Sequence, residues 1–113
     1  MLPKSQRLNS SEVETVMSQG RALFGDLFLV KFIKNETGGL KISAIAPKKT
    51  FKTAVERNKV KRRINSALSP IFNKNFIKNS FLVAIVANKK SLSVKIPELS
   101  SSLEQIFVKG GIL

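Results

Sequence analysis

One segment, Thr53 to Ile71, dictates a helix that must lie against an apolar partner. Val60, Ile64, Ala67, Leu68 and Ile71 recur at three- and four-residue spacing, the period that lines one face of an α-helix. Thr53-Ala54-Val55-Glu56 stands before them as a capping box: the Thr hydroxyl takes the Glu56 amide proton while the Glu side chain reaches back. Lys59, Arg62 and Ser66 project opposite the stripe, Arg57 falls near its edge, and Pro70 is expected to bend or end the helix.

The rest of the chain supplies that partner as a sheet. Val13, Val16 and Met17 share a face of a short first helix before Gly20, with Ser10 or Ser11 as its cap and Glu12 and Glu14 at its positive end. Ala22 to Ile33 is dense in Phe, Leu and Val and reads as strand. Gly38-Gly39 offers the positive φ angles of a hairpin loop. Leu40, Ile42 and Ala44 then alternate with Lys41, Ser43 and Ile45 until Pro47 closes the strand. Phe81 to Ala87 is continuously apolar, as an interior strand requires. Pro97 and Glu98 open a last helix with Leu99, Leu103, Ile106 and Phe107 as its buried face, and Gly110-Gly111 ends it. The expectation is one α+β domain over residues 1–113, two-layered, in the order α-β-β-β-α-β-α.

Composition narrows the function. The 20 Lys and Arg against 7 Asp and Glu give a formal charge of +13 over 113 residues. With no Cys and no His there is no disulfide, thiolate nucleophile, zinc ribbon or triad base. The acids are scattered and mostly fit helix ends and turns, so a carboxylate metal site is not expected and neither is catalysis by the protein itself. The start MLPKSQRLNS lacks a signal-peptide stretch, and no apolar run is long enough to span a bilayer. An intracellular protein that meets a polyanion, not a membrane, fits these features.

The basic residues are concentrated. Lys48, Lys49, Lys52, Arg57, Lys59, Lys61, Arg62 and Arg63 fall within sixteen positions beside one acid, Glu56; even spreading would put about three there. Like charges so close repel with no local offset. Arg and Asn among the Lys supply fork geometry for phosphate and amide bonds for sugar or base edges. The cluster also begins in a strand-to-helix loop, where backbone N–H groups and the helix dipole favour phosphate. Nucleic acid is the partner these features select.

Arg57-Asn58-Lys59-Val60-Lys61-Arg62 resembles the RN-x-x-KR signature of the bacterial ribonuclease P protein component. Arg7-Leu8, a short helix ending in Gly20, a strand running into Lys48-Lys49, the signature helix, the apolar strand and a closing helix near residue 110 appear in the family's order. The resemblance implies a protein that assists an RNA enzyme: the RNA subunit and its Mg²⁺ ions cleave the 5′ leader from precursor tRNA, and the protein binds no cofactor of its own. It implies contact with the catalytic RNA through Lys48, Lys49, Lys52, Arg57, Asn58, Lys59, Lys61, Arg62 and Arg63. It places the precursor-tRNA leader in a cleft between the first helix and the sheet, at Val13, Met17, Leu29 and Lys31. It also implies a left-handed crossover through the basic helix, and work in the bacterial cytoplasm. The chain departs from the family's pattern at Asn65-Ser66, where Arg-Glu often continues the signature, at Pro47, where a small polar residue or Ala is usual, and at three positions of the cleft. Val13, Met17 and Lys31 stand where cleft aromatics are usual, which weakens the expected stacking on the leader.

Overall fold

The computed structural model describes residues 7–36, 38–74 and 80–112. In chain order they form α1 (Ser10–Gln19), β1 (Arg21–Phe24), β2 (Phe28–Lys34), β3 (Lys41–Ile45), α2 (Ala54–Lys74), β4 (Phe81–Ala87), a 3-10 turn (Lys89–Leu92) and α3 (Ile96–Lys109). The strands make one mixed sheet in the order β1-β2-β4-β3. β4 lies antiparallel to β2 and parallel to β3, so the β3–α2–β4 connection is a crossover.

Alternation along the strands separates two faces. Phe28, Val30 and Phe32 of β2, Ile42 of β3, and Val83 and Ile85 of β4 join Val60, Ile64, Ala67, Leu68 and Ile71 of α2 in the main core. Leu99, Leu103, Ile106 and Phe107 of α3 complete it. Each of the larger side chains, Ala67 apart, contributes roughly 1.5–3 kcal/mol on removal from water before entropy is set against it, which is why a helix carrying so much like charge stays docked. On the opposite face α1 covers part of the sheet, and Val16, Leu82 and Ala84 are buried there with Met17, Ile33 and Ile45 packed around them.

Several local expectations need correction. Gly38 and Gly39 do take positive φ, 86° and 87°, but β2 and β3 are not a hairpin because β4 lies between them. The loop instead closes on itself and on the approach to β4: Asn35 Nδ2 donates to the carbonyls of Gly38 and Gly39 at 2.9 and 3.1 Å, and Gly39 N–H donates to Ser80 Oγ at 3.0 Å. The cap of α1 is Asn9 rather than Ser10 or Ser11, since only Asn9 stands three residues before Glu12 and completes a reciprocal box. Pro70 does not end α2, which runs on to Lys74. Pro70 is exposed, so the carbonyl it leaves unbonded one turn back can face water. The end of α3 follows expectation: Gly111 at φ 77° lets Gly111 and Ile112 N–H bond the carbonyls of Val108 and Phe107, a Schellman closure that buries Ile112.

The α1 cap carries a titratable group. Glu12 accepts from Asn9 N–H at 3.0 Å and pairs with Lys41 at 3.1 Å. The Asn9 bond first, then Lys41, hold its carboxyl below the ordinary glutamate value, with partial burial opposing them. A lowered folded pKa contributes stability that is complete above the unfolded pKa and is lost as pH falls through the folded one. Glu12→Gln is therefore expected to lower stability at pH 7 by about 0.5 kcal/mol, with the gap from wild type closing under acid. Urea midpoints at both pH values check this; a gap that persists in acid contradicts it.

Candidate nucleic-acid interface

The segment from Pro47 to Arg62 gathers most of the basic residues singled out by sequence. Pro47 ends β3, and its carbonyl accepts from Thr50 N–H at 3.1 Å and Phe51 N–H at 2.9 Å. This turn drives Phe51 into the core, fully buried, and leaves Lys48, Lys49 and Lys52 exposed. Thr53 then starts α2: its hydroxyl accepts from Glu56 N–H at 3.2 Å, and the Glu56 carboxylate reaches back to that hydroxyl at 3.5 Å. Asn58, Lys59, Lys61 and Arg62 follow, all exposed. The loop is tied down from two sides, since Arg57 Nη1 donates to Phe51 O at 2.9 Å and Lys89 Nζ donates to Thr50 O at 3.3 Å. Cations are thus presented on a backbone that is already fixed.

Two of the basic residues have structural engagements. Arg57 is half-buried, in keeping with its place at the edge of the apolar stripe, and braces the loop. Arg63 points to the other flank of α2, where its Nε donates to Ser91 O at 3.4 Å and its Nη2 donates to Val94 O. It joins α2 to the turn before α3.

Lys61 belongs to a groove of about 510 Å³ along the free edge of β3. Its other lining residues include Arg7, Asn9, Ser43 and Asn65, and Leu8 N–H donates to Ser43 Oγ at 2.9 Å, fixing residues 7–9 along the strand. Arg7 and Asn65 lie outside the set named from sequence; they are distant in the chain, and only the fold brings them together. Lys89 and Lys90, also exposed, are a second omission. A lysine pair directly after an interior strand was their available signal.

The four residues assigned to the leader cleft lie on the face that α1 partly covers. Val13 and Met17 are half-buried beside the buried Val16. Leu29 and Lys31 point the same way from β2, both half-buried, and Lys31 Nζ donates to Met17 O at 2.7 Å. Lys31 therefore supplies a cation to the last turn of α1, where exposed carbonyls favour one. Among the described residues no group of three or more His, Cys, Asp or Glu side chains is placed to hold a metal ion.

The family model for ribonuclease P matches residues 2–110. The chain belongs to the ribonuclease P protein family. It is 26% identical over 113 residues to the ribonuclease P protein component of Symbiobacterium thermophilum, covering 99% of this chain and 96% of that protein. Its fold is similar to the ribonuclease P protein of Staphylococcus aureus, with a TM-score of 0.78 at 20% identity over 96% of this chain and 98% of the other. The Thermotoga maritima protein gives 0.73 at 23% identity over 88% and 93%. Membership implies a role in tRNA processing, and the α+β order expected from sequence is the family's. Among the described residues no helix is long and apolar enough to cross a membrane.

Proposed function

We propose that this protein is the protein subunit of a bacterial ribonuclease P, which assists the catalytic RNA in removing the 5′ leader of precursor tRNA in the cytoplasm. The observation that carries this reading is the fixed, exposed basic surface of Lys48, Lys49, Lys52, Asn58, Lys59, Lys61 and Arg62 in a chain of this family. That surface binds the RNA subunit. Cations held on a preformed loop and helix start neutralise phosphates that would otherwise repel one another, and they do so without having to order the backbone on binding. Arg57 keeps the loop in place from beneath.

The leader lies on the α1 face of the sheet, against Val13, Met17, Leu29 and Lys31. The protein holds no cofactor. Mg²⁺ belongs to the RNA-based active site, where it supplies the activated water for hydrolysis, and the described protein residues offer it no cage of three ligands. What this chain contributes is charge and position, so it lowers the Mg²⁺ that the RNA needs to keep its active fold and its substrate.

Reconstitution with the cognate catalytic RNA tests the reading. Cleavage at the mature 5′ end should reach half its maximal rate at lower Mg²⁺ with the protein than with RNA alone. An Mg²⁺ requirement unchanged by saturating protein would contradict it.

A further inference from the structure

We propose that Phe24 is the base-stacking group of this protein: its exposed ring, beside Leu29 on the open sheet face, takes an unpaired base of single-stranded RNA. The inference rests on the leader-binding role above and names a residue for it.

Phe24 is 81% exposed, an unusual placement for the last residue of a strand with a core within reach. Its neighbour Leu23 packs towards the main core, so strand alternation directs Phe24 towards the α1 side of the sheet, and at this free edge it also lines the groove between β1 and α3. There the register aligns Phe24 with Leu29, Leu29 with Val86, and Val86 with Ile45. Ile45 packs into the α1 cluster, and Leu29 and Val86 are half-buried. The result is an apolar row that starts under α1 and ends at an uncovered aromatic ring.

A protein that holds single-stranded RNA without reading its sequence combines a basic track with aromatic faces for the bases. The chain has no Trp and no Tyr. Of its Phe side chains, Phe28, Phe32, Phe51 and Phe107 are buried, and Phe81 is half-buried edge-on to Phe32 with ring centroids 5.7 Å apart. Among the described side chains, Phe24 alone presents an aromatic face to solvent. Val13 and Met17 on α1 have no ring to offer.

The charge around the row suits an anion. β3 leads from Ile45 into Lys48-Lys49 and β4 leads from Val86 into Lys89-Lys90, all four exposed. They leave the sheet at the end where Phe24 sits. The adjoining turn carries one acid, Asp26. A protein partner fits less well: one exposed ring and three half-buried residues fall far short of the ~800 Å² per side that a stable protein interface covers.

The absence of Trp makes a clean probe possible, because Phe24→Trp introduces the protein's single indole. Titration with octauridine should quench its emission saturably, since a base stacks on the indole as it does on the phenyl ring. Phe24→Ala and Phe24→Leu should each weaken octauridine binding roughly 10-fold, within a range of about 5- to 150-fold, with the melting midpoint unchanged. The leucine variant separates stacking from mere apolar contact. Indole emission that ignores octauridine, or an alanine or leucine variant that binds it as wild type does, would overturn the proposal. So would a change in sedimentation on Phe24→Ala without lost affinity, which would assign the ring to a contact between copies. Affinity for the catalytic RNA, measured in parallel, keeps the two readings apart. Quenching without such affinity upholds Phe24 and sinks the ribonuclease P role; affinity without quenching sinks Phe24 alone.

Discussion

Removing Lys48, Lys49 and Arg62 together by alanine substitution is expected to weaken binding of the catalytic RNA about 100-fold at 0.15 M salt. Each cation that meets a phosphate contributes roughly 0.7–0.9 to the slope of log K against log salt. Without these three, that slope should flatten by about two to three. The melting midpoint should stay near wild type, because all three side chains are exposed. Arg63→Ala provides the contrast one residue away. Its guanidinium is engaged by the carbonyls of Ser91 and Val94, so its loss leaves partly buried acceptors without a partner, at about 1–3 kcal/mol. The midpoint should fall while the salt slope stays as it was. If Arg63→Ala flattens the slope as much as Arg62→Ala does, the division of labour between these neighbours is wrong.

Phe51→Ala should be the most destabilising single change in the binding loop, at about 3–5 kcal/mol. Phe51 is fully buried in the main core, at the end of the Pro47 turn. Against a total of roughly 5–15 kcal/mol for an ordinary domain, the melting midpoint should drop by roughly 10–20 °C. RNA affinity should fall with it, since the same residue's carbonyl receives Arg57 and the lysines on either side depend on the turn. Phe51→Leu, which keeps most of the volume, should lose less than about half as much. An alanine variant that melts with wild type would mean that the loop does not hang on this side chain.

Much of this was legible in the residues. The α2 stripe, the β4 run and the buried face of α3 are local patterns of seven or more positions, and tertiary packing reinforces rather than opposes them. Sheet order was not legible. The positive φ of Gly38 and Gly39 is a local property shared by hairpins and other loops. What places β4 between β2 and β3 is the long crossover through α2, a pairing that no turn residue encodes. The helix cap was missed for a simpler reason: Asn9, Ser10 and Ser11 are all good caps, and Glu12 selects among them only by its spacing.

The site was legible in charge but not in roles. Position on a helical wheel separates Arg63 from Arg62 only once the neighbours of each flank are known. Lys31, which the resemblance assigns to the leader cleft, directs its ammonium to the Met17 carbonyl, a partner on another element. Nothing local singles out Phe24, since an aromatic residue in a strand-like run is more often buried than bare. Its exposure is a property of the fold's edge, not of the residues beside it.

The most direct test of the central claim is to recover the tagged protein from its native cells and sequence the RNA bound to it. One dominant non-ribosomal RNA, accompanied by precursor tRNAs that still carry their leaders, is the predicted result. Ribosomal RNA in bulk, without such a species, would contradict the ribonuclease P role and point to a ribosomal or RNA-chaperone protein instead.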